Sequence, residues 1–381
     1  MTATPNFLDV HILHAVPYSN LNRDNLGTPK QMIYGGTARA RISSQCTKRA
    51  ARLWLESNTD LGEALRTRRL PQSLREELTE SHGLEDEDAC EAVGQLFKLA
   101  NIKVSETPAG ELQGDQLTFT TSEAARRLAH GVAAHREAIL GEDFKPTKSV
   151  KDALLEPLRA KNAVIALCGR MLAESSAGVN VDGALQVAHA FTTHASTVEQ
   201  DYFTAVDDVV QSDDEETGAG HINVNEFTSG VFYRCATIGL ESLRKSLDGS
   251  EATVAEAASS FLRAFTLSEP TGKQNAANAH TRPALVAAVL RSDRPASFAA
   301  AFESPVSAAR GGGHMTESIA RLASHAAAEK AFYGDAGQTG AWCTVMASVA
   351  PDATLDSLGE PCTSLSDLTS AVETALDGAA P

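Results

Sequence analysis

Gln45, Lys48, Arg49 and Arg52 recur at i, i+3, i+4 and i+7, a spacing that on a helix puts one amide and three cations on a single face. Like charges at that spacing repel by about 0.2–0.5 kcal/mol per pair, so the stripe is easiest to explain where an anion offsets it. It is also part of a larger concentration. Between residues 20 and 55 seven basic residues, Arg23, Lys30, Arg39, Arg41, Lys48, Arg49 and Arg52, stand against the single acidic Asp24. That segment carries +6 in a chain of formal net charge −16, which leaves −22 for the remainder. A negative average alone would speak against nucleic acid, because phosphate binding is dominated by Lys and Arg. One concentrated basic segment instead implies a localised anion site, with a solvated, charge-alternating face as the competing explanation. Cations, hydroxyls and amides without base-reading forks suit a sugar-phosphate backbone.

Other chemistry-bearing groups are fewer. Asp207, Asp208, Asp213, Asp214, Glu215 and Glu216 could hold a divalent cation for metal-assisted RNA hydrolysis, or could form a solvated loop tip. The eleven histidines form no HxH or HExxH site, and RGGGH at 310–314 lacks the Lys and Ser/Thr of a phosphate-binding loop. The six cysteines are scattered with no CxxC pair, against structural zinc and against a disulfide scaffold. No metal, no cofactor and no catalytic residue is expected. The N-terminus lacks the pattern of a signal peptide and no apolar run approaches bilayer length, so the expectation is a cytoplasmic protein with no membrane partner.

These residues need elements to position them. With 381 residues and 43% hydrophobic composition the chain can bury a sizeable core. FLDVHILHAV at 7–16 predicts a half-buried strand, followed by a long loop through Gly36. Ser43 or Ser44 then caps a helix to about Glu56, with Cys46, Ala50, Leu53 and Trp54 toward the core. Gly35 and Gly36 allow a tight turn with positive φ and a close approach of backbone to a ligand, although glycine pairs also mark ordinary turns. Residues 60–180 read as mostly helical, an inserted subdomain, with Arg170 and Met171 following a strand. A strand ending near His194 and an excursion with an acidic tip over 197–226 come next. Further strands are expected at 227–238, 284–290 and 341–349, and helices at 251–265, 315–333 and 364–377. With insert and excursion set aside, the order is βαββαβ, so the expected fold class is α+β and RRM-like (ferredoxin-like).

LNRDNLGTPKQMIYGGTARARISSQCTKRAAR at 21–52 closely resembles the N-terminal signature of the CasC family, the backbone subunits of type I-E CRISPR Cascade complexes. ALCGRM at 166–171, AHAFTTH and DYFTAVDD within 188–208, EFTSGVFYR at 226–234 and GKQN at 272–275 agree in order. The resemblance implies a palm at 1–60 and 186–381, helical fingers at 61–185 and a thumb hairpin at 197–226. It implies copies stacked head to tail on a guide RNA (crRNA), each thumb kinking the strand and leaving short segments to pair with target DNA. Expected partners are crRNA, the target strand, other copies, and the large, small and guide-end capping subunits.

By match to the family's motif, Arg23, Lys30, Ser43, Gln45, Lys48, Arg49 and Arg52 would contact phosphates and riboses, with Gly35 and Gly36 bringing backbone close and amides at the helix start assisting. Thr37 stands where the family has lysine, removing one cation. Met171 would wedge against a base beside Arg170, though a methionine in such a segment is ordinarily core. Tyr202, Phe203, Thr204 and Val206 would displace a base from the stack, or else simply anchor the loop. Lys273 and Gln274 would touch guide or target. Because related backbone subunits cut RNA with a loop aspartate, a metal-dependent nuclease using Asp24 is the alternative. A single-copy RRM would want aromatics on its central strands, and VHILHAV and GVFYRCA do not supply that pattern.

Overall fold

The computed structural model describes residues 4–141, 144–172, 178–205, 221–247, 251–335, 337–350 and 355–378. The chain divides into two compact units, one of Met1–Trp54, Gln186–Leu240 and Ala258–Pro381, the other of Leu55–Leu185 and Glu241–Ala257.

The first unit is organised by β1 (Phe7–Ser19), whose Val- and Ile-rich run pairs antiparallel on both sides. Val10 faces Ala236 of the long strand His221–Gly239 and Ala288 of the strand Leu285–Arg291. Because β1 is central, both of its faces are covered. Leu8, Val10, Ile12 and Leu13 are fully buried and so are the polar Asp9 and His11, where a half-buried strand was expected. Among the described residues the sheet has ten strands, and its main path runs Glu360–Pro361, Gln338–Val345, Leu285–Arg291, β1, His221–Gly239, Ala190–Thr192, β3 (Thr37–Ile42), β2 (Gln31–Tyr34). On one face Leu13, Tyr233 and Leu285 pack with Phe298, Phe302, Ile319 and Leu322, the last two from the helix Met315–Tyr333.

Two local departures from expectation set up the site. The segment before Gly36 is not all loop, since β2 and β3 form a hairpin turning at Gly35 and Gly36, with φ of +57° and +71°. The helix α1 (Ser44–Asn58) buries Thr47, Ala51 and Leu55, four residues apart, while Cys46, Ala50, Leu53 and Trp54 are only half-buried. Its core stripe is thus turned by one residue, about 100°, from the one expected. The strand expected to resume at Phe227 starts at His221, so one strand serves both the sheet and a hairpin with Glu199–Ala205. Residues 206–220, with the acidic run and Val206, lie outside the described residues.

In the second unit the helices Leu70–Glu80, Asp86–Leu99, Ala124–Ala134 and Lys148–Arg159 enclose a core of Leu74, Leu78, Phe97, Leu128, Val132 and Leu155. Two small antiparallel pairs, Ala64–Thr67 with Thr118–Thr121 and Val104–Glu106 with Leu112–Gly114, add strands to a region expected to be helical. The strand expected before Arg170 is the helix Ala163–Cys168. Among the described residues no helix is long and apolar enough to cross a membrane.

Candidate nucleic-acid interface

Asn22 ties the first loop to the start of α1. Its carbonyl accepts from the Lys30 amide at 2.9 Å and its Oδ1 from the Ser43 amide at 2.8 Å, while the Lys30 carbonyl accepts from the Arg41 amide at 2.8 Å. Asp24 closes the loop on itself. Its Oδ1 accepts from the amides of Leu26 at 2.8 Å and Thr28 at 3.0 Å, and Arg23 and Pro29 form an antiparallel bridge. A short acidic side chain folded onto its own backbone is ordinary turn chemistry, which gives Asp24 a structural job. Among the described residues no group of three or more His, Cys, Asp or Glu could hold a metal ion.

Around this scaffold the cations converge. Arg41 donates from Nε to the Gln31 carbonyl at 3.3 Å, and its guanidinium lies 3.3 Å from Nδ1 of His189, which also accepts from the Ser44 amide at 3.1 Å. Burial and then the charges of Arg41 and Lys30 hold the His189 pKa below its ordinary value, so the ring stays a neutral acceptor. Burial pushes the Cys46 thiol up, against the opposing pull of the Lys30 and Arg49 charges. Gln45 and Arg49 are exposed, as is Arg23 on the loop; Lys30 and Arg41 are half-buried. The exposed members are therefore Arg23, Gln45 and Arg49, with Lys30 and Arg41 half-buried.

Several expectations change here. Lys48 and Arg52 are half-buried and have partners within the protein. The amides of Ser43 and Ser44, expected to assist a ligand, are taken by Asn22 and His189, and Ser43 itself is buried. Arg39, counted with the basic segment, is fully buried and donates to the carbonyls of Thr192, Phe302 and Glu303 at 2.9, 3.0 and 3.2 Å. The close approach at Gly35 is to the chain itself, since a Cβ there would sit 1.7 Å from the Glu303 carbonyl oxygen. Sequence reasoning did not single out Arg41 or His189. Arg41 alternates with Arg39 along β3, so only the neighbouring strands decide which is displayed. His189 arrives from 145 residues away and carried no local signal.

Arg170 is buried within the second unit. It is 3% exposed, and its guanidinium donates to the carbonyls of Val179 at 2.5 Å, Phe119 at 3.4 Å, Ala160 at 2.9 Å and Arg159 at 3.0 Å, so its donors are spent inside the second unit. Met171 beside it is 81% exposed, the reverse of a core methionine. Tyr202 and Phe203 stand exposed on the hairpin, with Tyr202 opposite Val224 and Thr204 in the same strand opposite Ile222. Lys273 donates to Asn225 Oδ1 and lies 5.6 Å from the centre of the Phe227 ring. Gln274 spends both ends of its amide on its own loop, accepting from the Ala279 amide at 2.8 Å and donating to the Pro270 carbonyl at 3.4 Å. Both side chains are half-buried.

A family model described as "CT1975-like protein" matches residues 8–371. A chain from a solved structure described as "CRISPR RNA-guided surveillance complex, pre-nicking" is similar with a TM-score of 0.87 and 36% identity, over 97% of this chain and 100% of that one. A second, from a "CRISPR RNA-guided surveillance complex", has a TM-score of 0.76 and 28% identity, covering 97% and 99%. No curated protein matches the sequence.

Proposed function

The chain belongs to the CT1975-like protein family, and from that premise we propose that it is a guide-RNA-binding backbone subunit of a CRISPR surveillance complex of the Cascade type. Copies of it line up along a crRNA and hold the strand for pairing with target DNA, beside the complex's large, small and guide-end capping subunits. The observation that carries this is the patch at the start of α1. In a chain of net charge −16, Lys30, Arg41 and Arg49 gather with Gln45 beside a loop that exposes Arg23. The set can neutralise phosphates and bond to riboses while leaving base edges alone, the requirement for holding any guide. Lys48, Arg52 and Ser43 support the same surface from its half-buried and buried side.

The finer fold follows the same reading. β1, α1, Ala190–Thr192, His221–Gly239, the helix Glu251–Leu267 and Leu285–Arg291 succeed one another as βαββαβ. Their strands lie in the order fourth, first, third, second, that of a ferredoxin-like palm. The division into two units, the second of which begins at Leu55 and also takes in Glu241–Ala257, supports a helical fingers segment at about 61–185 inserted into a palm at 1–60 and 186–381, with the hairpin over 197–226 as thumb. Tyr202 and Phe203, at 68% and 43% exposure, are the groups that would push a base out of the stack. The role is binding, with no catalytic step; Asp24 serves its loop.

The test is charge reversal of two of these cations, Lys30→Glu with Arg49→Glu, in the chain co-expressed with its partner subunits and a CRISPR array. Guide RNA recovered with the complex at physiological salt should fall at least about tenfold, and the single-strand salt slope should flatten by about 0.7 for each phosphate contact removed. Undiminished guide recovery from a folded double variant would refute the assignment.

A further inference from the structure

We infer that Asn20 and Lys273 are positioning residues that lock the hairpin of Glu199–Ala205 and His221–Phe227 to the loop of residues 21–30, so that gripping the RNA backbone and displacing a base act as one unit. This rests on the RNA-binding function proposed above.

The hairpin needs such a lock. Its last pair is Glu199 with Phe227, and β1 follows the long strand only as far as Thr228, after a register shift between Val16 and Ser19. Beyond that point the two strands have each other as sheet neighbours, and an isolated two-stranded ribbon is marginal in water. Its direction must be set at the root.

Three consecutive root residues, Asn225, Glu226 and Phe227, are each held by a side chain from outside the hairpin. The Asn225 side chain accepts from the Lys273 ammonium. The Glu226 carbonyl accepts from Asn20 Nδ2 at 2.8 Å, and the same Nδ2 donates to the Gly27 carbonyl at 3.0 Å, so one buried amide spans loop and hairpin. The Phe227 ring stacks on Tyr18 at 4.3 Å between centroids, and the Lys273 ammonium lies 5.6 Å from its centre. Among the described residues Asn20 Oδ1 has no hydrogen-bond partner, which marks the side chain as held for its donors. Lys273 is equally constrained, with a left-handed φ of +49° after Gly272, where a Cβ would come within 2.4 Å of the Leu21 carbonyl oxygen. The loop of Thr271–Gln274 is thus seated against the chain at Leu21, and the lysine charge is met by an amide oxygen and a ring face in place of a phosphate.

The experiment uses the assembled complex with Lys273→Met, Lys273→Arg and Asn20→Ala, reading guide recovery, its salt slope and the 2′-hydroxyl reactivity along the bound guide. Lys273→Met should keep guide recovery within about twofold of wild type with an unchanged slope, because no phosphate contact is lost. Its periodic contrast in reactivity should collapse by about threefold or more, since a loosened support misplaces the groups it carries. Lys273→Arg, which keeps a donor and a cation over the ring, should restore the contrast. Lys273→Met keeps the test available where Asn20→Ala does not assemble. A slope flattened by about 0.7 would make Lys273 a phosphate ligand and overturn the inference. So would an unaltered pattern in the variants. Wild-type complex carrying no guide, or a guide without periodic contrast, would sink the functional proposal itself.

Discussion

At the scale of single residues, one side-chain type meets opposite fates. Arg23 and Arg49 are exposed, whereas Arg39 and Arg170 are buried and spend their forks on backbone carbonyls, and the buried Arg234 divides its fork between the Phe265 carbonyl and the His14 ring. The difference follows from guanidinium chemistry, five donors in a rigid plane that can satisfy several bare carbonyls at once. Burial pushes the Arg170 pKa down to about 10, which still leaves it charged at neutral pH. Arg170→Met should therefore act on stability. Four carbonyls lose a charged donor, and a loss of about 3 kcal/mol or more is expected from hydrogen bonds worth about 1.5–3 kcal/mol each when one partner is charged. Arg170→Lys should rescue little, because an ammonium cannot reproduce the fork. Denaturant unfolding checks this; a variant of unchanged stability that loses guide RNA would return Arg170 to the interface. The motif around Arg170 was visible in the sequence, but the direction its side chain takes was not, since the carbonyls it serves lie up to 51 residues away.

At the scale of elements, periodicity located α1 and β1 well and misjudged their faces. The period of α1 is unambiguous, yet Cys46, Ala50, Leu53 and Trp54 form as good an apolar stripe as Thr47, Ala51 and Leu55. The hairpin of β2 and β3 was hidden because its first strand is four residues long with alternating exposure, too short a pattern to stand out from loop. Its turn distinguishes the two glycines. Alanine at Gly36, φ +71°, meets open space and should lose only the strain of a left-handed residue, about 1–2 kcal/mol. Alanine at Gly35 adds a collision with the Glu303 backbone and should be clearly worse, beyond about 3 kcal/mol or unfolded. Thermal unfolding of the pair tests this: equal losses would mean that the approach to Glu303 can relax.

At the scale of the whole molecule, a central β1 flanked on both sides traps titratable groups that composition could not reveal. Burial pushes Asp9 up to about 6, against the opposing hydrogen bonds of Thr237 and Ala296. Burial pulls His11 and His14 down to about 3, helped by the charges of Arg291 and Arg234. Folded His11 and His14 bind fewer protons than the unfolded chain between about 3 and 6.5, so their contribution is full above 6.5 and lost as pH falls. Asp9 has the opposite sign, its contribution being present below 3.8 and lost as pH rises toward 6. Two histidines outweigh one aspartate, so unfolding free energy should fall by about 1 kcal/mol per pH unit from pH 6 to 4.5, and Asp9→Asn should steepen the fall. Denaturant midpoints across that range measure it, and a flat profile would contradict the buried neutral imidazoles. Local pattern by itself determined the existence of a basic N-terminal segment, a first strand, a following helix and the order of the later elements, because charge concentration and side-chain period are properties of neighbours in the chain. Which cations are displayed, which arginines are consumed inside, and how Asn20 and Lys273 meet the hairpin root were decided only by the tertiary structure, because those contacts join segments up to 264 residues apart whose pairing no local period encodes.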